Sequence, residues 1–362
     1  MLGTLLDVFR LRQYFDAISR TRELVQGLQQ DAGLLTDAVR AASPLPIGAA
    51  GAHNLQPFPP VEPYATHVIE GQRIALAATG GSGAMASLVG AARALEEAGL
   101  RPSVFSLCSG SALFGFPLAA GLSTEEVAAF TLGLLPQDYV DLDWSRLLRL
   151  ALTAGRGFAG IICGAAIEES YRRLLGDKTL GDMPIPAYAP IWNVEQNRVE
   201  FIGPRTHPEL SVARAVRMAV ALPLFIQPVE LDGYHWCDGG IVDIFPVHPL
   251  LDIEQPCDVT LAINGFYPPE FQGEDARGWE YRRASILYVA SQVRTCQQIE
   301  LARENLARLR AASKVLMIEP VSYQKVQGVG FYRQFLSTRE WPGFMRAGRI
   351  AARHALAATP SP

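Results

Sequence analysis

Twice between Arg73 and Ala120 the chain runs from a short apolar segment through a turn of glycine and serine into a helix-patterned stretch. The first pass is a strand over 73–79 (RIALAAT), a glycine loop over 80–83, and a helix over 85–98 that Gly99 ends. The second is a strand over 103–107 followed by a helix over 112–120 that Gly121 ends. Strand, turn, helix, strand, turn, helix in that order is a βαβ unit, which calls for a parallel sheet and an α/β class. Further strands are predicted over 187–193, 199–202, 259–264 and 315–319, a long amphipathic helix over 280–312, and a closing helix over 331–357.

Ahead of this body, Leu5, Phe9, Phe15, Ile18, Leu24, Val25 and Leu28 recur at helical spacing, which predicts helix over 4–42. Pro44, Pro46, Pro57, Pro59, Pro60 and Pro63 then mark a strap or linker. The expected organisation is a helical arm and Pro-rich strap over 1–65, the α/β body over 66–320, and a helical tail over 321–362. In the arm, Arg10, Arg12, Arg20, Arg22 and Arg40 are matched by Asp7, Asp16, Glu23, Asp31 and Asp37. That balance gives no pull toward an anionic membrane, so the arm is expected to dock on protein.

Composition removes several classes of function. With 32 Lys+Arg against 36 Asp+Glu, the chain lacks the basic excess of a nucleic-acid binder. Only 19% of residues are charged and 49% are hydrophobic, which excludes global disorder. No apolar run is long enough to span a bilayer, and the N-terminus lacks the pattern of a signal peptide. Cys108, Cys163, Cys237, Cys257 and Cys296 are scattered without a CxxC pair. The expectation is a reducing, cytoplasmic setting with no disulfide framework, no zinc site and no cofactor. Peripheral membrane contact and homo-oligomerisation stay open.

Three segments are candidates for chemistry. Gly80-Gly81-Ser82-Gly83 lies between a strand and a helix, where backbone N–H groups can hold an anion; a tight turn that needs glycine is the plainer alternative. Ser109, in Leu107-Cys108-Ser109-Gly110-Ser111, sits where a second strand turns into a helix. It is either a nucleophile on an elbow or a simple N-cap. Asp238, in Asp238-Gly239-Gly240, ends a strand and is either a presented carboxylate or an Asx turn. None of His53, His67, His207, His235, His248 and His354 stands where a Ser-His-Asp triad needs one, and their spacing fits no common metal site.

Taken together, in order and spacing, these segments resemble the bacterial patatin-like phospholipases. That family carries G-G-G-x-R/K-G, then a helix ending like L-E-E-A-G, then G-x-S-x-G. Here stand Gly80-Gly81-Ser82-Gly83-Ala84-Met85, Leu95-Glu96-Glu97-Ala98-Gly99 and Leu107-Cys108-Ser109-Gly110-Ser111. Downstream, Ala221-Leu222-Pro223-Leu224-Phe225, Asp232-Gly233, Asp238-Gly239-Gly240 and Phe245-Pro246-Val247 keep the family's order. The resemblance covers about residues 70–265. It implies a three-layer sandwich around a mostly parallel sheet, with helical additions at both ends. It also implies a Ser109–Asp238 dyad working through an acyl-enzyme, with an oxyanion hole from Gly81, Ser82, Gly83 and Gly110.

The implied activity is lipid acyl-ester hydrolysis of phospholipase A or lysophospholipase type, without metal. Acyl transfer, thioester hydrolysis, or a catalytically impaired binding protein are the alternatives. The departures are Ser82 for the third loop glycine, Ala84 for the basic residue, Met85 for the last glycine, and Leu107 and Ser111 for the elbow glycines.

Overall fold

Runs such as Ile74-Ala-Leu-Ala-Ala78 are apolar on both faces, and a strand of that kind is stable only between two covering layers. The computed structural model describes residues 57–68, 71–135, 138–141, 159–272, 286–326 and 329–357. The chain divides into two units, Met1–Ala50 and Gly51–Pro362, and the described residues belong to the second. The helix expected over 4–42 and the strap up to residue 56 lie outside them.

In chain order the elements are β1 (Ile74–Ala78), α1 (Ser87–Glu97), β2 (Val104–Ser106), α2 (Ala112–Ala119), α3 (Thr124–Gly133), β3 (Gly160–Ile162) and α4 (Ala165–Leu175). There follow β4 (Ala187–Asn193), β5 (Arg198–Ile202), α5 (Val212–Ala219), β6 (Leu224–Ile226), β7 (Val229–Leu231), β8 (Tyr234–Asp238) and β9 (Val259–Ile263). The last are α6 (Ile286–Ala312), β10 (Lys314–Ile318), α7 (Tyr323–Val326), α8 (Val329–Leu336) and α9 (Trp341–Leu356).

The main sheet runs β10-β9-β1-β2-β4-β8-β7, with β5 also on β4, while β3 and β6 pair separately. From β10 through β4 the pairs are parallel, and β5, β8 and β7 join antiparallel. Alternation along β1 assigns the two faces. Ile74, Leu76 and Ala78 enter a core with Leu88 and Leu95 of α1, Phe114 of α2 and Met345 of α9. Ala75 and Ala77 point the other way, into a core with Ala302, Leu306 and Leu309 of α6 and with Phe245. The architecture is therefore helix, mostly parallel sheet, helix: a three-layer α/β fold.

The closing helix expected over 331–357 is broken. α8 ends at Leu336, Thr338–Glu340 form a 3-10 turn capped by Ser337, and α9 starts with Pro342 in its first turn. Proline fits there and would disrupt a helix interior, so the sequence itself places the break. α9 lies on α1 through Glu97, whose buried carboxylate accepts from Arg349 at 2.9 Å and Arg353 at 3.0 Å and meets Arg93 at 3.4 Å. Removing one partner from such a buried cluster costs about 3–5 kcal/mol.

Candidate active site

Register alone brings the two candidate residues level. Ser106, the last residue of β2, pairs with Tyr188 of β4. Asp238, the last residue of β8, pairs with Ile191 of the same strand, three positions further along (191 − 188 = 3). The residue three beyond Ser106 is Ser109 (106 + 3 = 109). Asp238 thus reaches the carboxyl edge of the parallel strands from the opposite direction, on an antiparallel strand. That edge is where open α/β sheets bind ligands.

Ser109 occupies a strained turn. Cys108 is extended, at φ −142° and ψ 129°, and Ser109 then adopts φ 50°, in the region L-residues avoid. The next residues enter a short 3-10 turn and α2. This is the strand–turn–helix context that pushes a serine hydroxyl out of the chain. Ser111, which stands where the usual motif has glycine, stabilises the turn: its Oγ accepts from Cys108 N at 2.7 Å and donates to Cys108 O at 2.8 Å. Leu107, the other departure, is fully buried. Space for it comes from Gly115 on α2, where a Cβ would stand 2.2 Å from Leu107 Cδ2.

Asp238 is 1% exposed. Gly240 N–H donates to its Oδ1 at 2.8 Å, and a Cβ on Gly240 would stand 2.9 Å from that oxygen and 3.5 Å from Ser109 Cβ, so the two side chains flank one glycine. Its own N–H donates to Ala221 O at 3.0 Å, tying the strand end to the Ala-Leu-Pro segment. Burial lifts its pKa to about 7, against the downward pull of the Ser109 side chain and the Gly240 N–H. A carboxylate near neutrality accepts a proton from a reacting hydroxyl more readily than an ordinary aspartate.

The glycine loop lies directly against the elbow. A Cβ at Gly110 would stand 2.6 Å from Ser82 N, so the two backbones meet at contact distance. Gly80 N–H is taken by the Ile244 carbonyl at 3.3 Å. Ser82 and Gly83 begin the 3-10 segment Ser82–Ala86, and Gly110 lies in the first turn of Ser109–Ser111. In such first turns N–H groups have no intrahelical acceptor and are free for an anion. Ser82 sits at φ 54° and Gly81 at φ 149°. Ala84, in place of a basic residue, is fully buried against Val321 and Val326, in a cluster that a cation would disrupt. Met85 is likewise buried and accepts from the Thr79 hydroxyl through sulfur at 3.8 Å.

A narrow cavity of about 30 Å³ opens beside Ser109, Ser82 and Gly110, room for roughly two waters. Its walls are apolar: Leu113 from α2, Val220, Leu222, Phe225 and Ile226 around the Ala-Leu-Pro segment, and Phe331 and Phe335 from α8. Such a wall suits an acyl chain. The two phenylalanines were not legible as site residues, because they lie far along the chain in an ordinary amphipathic helix.

Burial, with the charges of Asp238 and Asp243, pushes the Cys108 thiol well above its ordinary value. His235 pairs with Glu195 at 2.6 Å and His248 with Asp252 at 2.7 Å, both at the surface. Among the described residues no cluster of three His, Cys, Asp or Glu is arranged to hold a metal, and no helix is long and apolar enough to cross a membrane.

Residues 76–251 match the model of the patatin-like phospholipase family. An uncharacterized NTE family protein of Mycobacterium tuberculosis is 27% identical over 195 residues, covering 53% of this chain and 49% of that protein. Human patatin-like phospholipase domain-containing protein 6 is 25% identical over 181 residues, covering 49% of this chain and 12% of its own length. The matching segment thus spans about half of the mycobacterial relative and a small part of the human one. Among solved structures, VipD from Legionella pneumophila aligns over 78% of this chain and 66% of its own, at 14% identity and a TM-score of 0.45. Over residues 76–251, just under half of its length, the chain is similar to the patatin-like phospholipase family.

Proposed function

We propose that this chain is a serine acyl-ester hydrolase of phospholipase A or lysophospholipase type, in which Ser109 is the nucleophile and Asp238 its base. The observation that carries the reading is that Ser109, on a strained elbow, and the buried Asp238 flank one glycine beside an apolar cavity: a Cβ on Gly240 would stand 2.9 Å from Asp238 Oδ1 and 3.5 Å from Ser109 Cβ. In the first half-reaction Asp238 takes the Ser109 proton as Oγ attacks the ester carbonyl. The N–H groups of Ser82, Gly83 and Gly110, with Gly81 shaping the loop, face the oxyanion as it forms. Collapse of the tetrahedral species breaks the ester C–O bond, and the departing alcohol takes the proton from Asp238. Water, deprotonated by the same carboxylate, then attacks the acyl-enzyme and releases the fatty acid and free Ser109.

The apolar lining supports an acyl substrate, and the match to the patatin-like phospholipase family supports a lipid one. All five cysteines are free, which fits a reducing, cytoplasmic setting. The test is fatty-acid release from mixed micelles of phosphatidylcholine and, separately, of lysophosphatidylcholine. Release by the wild type that Ser109→Ala and Asp238→Asn each abolish is expected. Absence of release, or release that survives Ser109→Ala, overturns the reading. Adding a long-chain alcohol reports acyl transfer in the same assay: an acyl-alcohol product outpacing free fatty acid contradicts hydrolysis as the main reaction.

A further inference from the structure

The two glycines after Asp238 begin a turn that must hold its shape for Gly240 N–H to reach the carboxylate. What holds that turn comes from far away in the chain. On α6, Gln298 Nε2 donates to the Gly240 carbonyl at 2.8 Å. Seven residues on, and so on the same face two turns later, Asn305 Nδ2 donates to the Phe245 carbonyl at 2.9 Å and to Asp243 Oδ1 at 3.1 Å. Ala302 and Leu309 fill the same face and are buried. The anchored segment also reaches the nucleophile's side, because the Asp243 carbonyl accepts the Cys108 thiol at 3.5 Å.

We infer that Gln298 and Asn305 are positioning residues for the dyad: one helix face, outside the segment that matches the family, fixes the 239–245 turn and through it Asp238 and the elbow. The inference rests on the Ser109–Asp238 reading. Each contact is short, and Asn305 is 5% exposed, so its amide is committed to this turn. The amide groups suit the task because each donates to an oxygen without adding charge beside a buried carboxylate.

The consequence reaches the acid limb of the rate profile. The groups around Asp238 are Ser109 and Gly240 N–H, Cys237 on its own strand, Cys108 from the elbow and Tyr267 after β9, with Asp243 beyond Cys108. Burial holds Cys108, Cys237 and Tyr267 above their ordinary values, so they stay neutral where Asp238 titrates. Asp243, at about 6, is anchored by Asn305 and not by Gln298. Loss of Gln298 therefore loosens Gly240 N–H, weakens the ionised form of Asp238, and moves the acid limb to higher pH.

The experiment is kcat and KM for p-nitrophenyl butyrate across the acid limb, with melting temperature, for wild type, Gln298→Ala, Gln298→Glu and Asn305→Ala. Gln298→Ala is expected to lower kcat near neutrality by on the order of ten- to a hundredfold, with KM little changed, and to recover activity as pH rises. Gln298→Glu, which cannot donate when ionised, is expected to behave alike. Asn305→Ala is expected to lower kcat and melting temperature together. An acid limb and kcat unchanged in both Gln298 variants overturns the inference, as does a fall in kcat with no shift of the limb. Ser109→Ala, run alongside, separates the two readings: if it keeps activity, the dyad itself fails. If it loses activity while the Gln298 variants do not, only the positioning role fails.

Discussion

Leu107 and Gly115 occupy one space: a Cβ on Gly115 would stand 2.2 Å from Leu107 Cδ2 and 2.7 Å from Cδ1. The elbow glycine of the usual motif is absent, and the missing room has been found eight residues later, on the helix behind the turn. Ser109 keeps its strained φ of 50° despite the substitution. A motif is a statement about space, and space can be released from the other side of a contact.

Gly115→Ala is accordingly expected to destabilise the protein by about 1–3 kcal/mol through overpacking. Leu107→Ala in the same chain should return part of that loss. Denaturant unfolding of the two single variants and the double variant measures the coupling; strictly additive effects would contradict the shared-space account.

The acid limb of kcat/KM is expected near the folded-state pKa of Asp238, about 7, because only the ionised carboxylate accepts the Ser109 proton. Stability has the opposite dependence. The folded pKa lies above the ordinary value of 3.8, so the native state binds the proton more tightly. The stability contributed by protonated Asp238 is then full below the lower value and falls as pH rises toward the upper one. Asp238→Asn removes that fall. Its melting temperature, relative to wild type, should be higher at alkaline pH than at acid pH. A constant difference across the range would mean that Asp238 is not desolvated as described.

Cys108 is adjacent to Ser109 and is the obvious rival nucleophile. Burial and two neighbouring carboxylates keep its thiol protonated, and only the thiolate is reactive. Iodoacetamide at mildly alkaline pH should label the exposed Cys296 first and leave esterase activity intact. Inactivation in step with modification of Cys108 would reverse this assignment.

Phe331 and Phe335 form part of the apolar wall beside Ser109. Phe335→Ala should raise kcat/KM for p-nitrophenyl octanoate relative to the acetate by about tenfold, the scale of one to three kcal/mol for apolar pocket contacts. An unchanged ratio would place the acyl group elsewhere.

The sequence made the centre of this fold plain and the rim obscure. The strand expected over 187–193 is β4 itself, and those around β1, β2 and β9 differ from the structure by a residue or so at each end. All are apolar on both faces, and such runs announce themselves. β6 and β7, three residues each, and α3 and α4, whose exposed faces carry much of their sequence, gave no comparable pattern. Ser109 and Asp238 were legible through motif order, although their meeting depends on β8 running antiparallel, which composition does not encode. Gln298 and Asn305 lie 58 and 62 residues from the groups they hold, on a helix with no local reason to carry amides there. Contacts of that kind exist only once the sheet has brought both ends together.

In the proposed reaction Ser109 is the nucleophile and Asp238 activates it. The direct test is labelling of the intact protein with a long-chain fluorophosphonate, followed by peptide mass spectrometry and the labelling rate. One adduct is expected, on Ser109, absent in Ser109→Ala and formed far more slowly in Asp238→Asn. No adduct on wild type, an adduct on another residue, or an Asp238→Asn rate equal to wild type would contradict it.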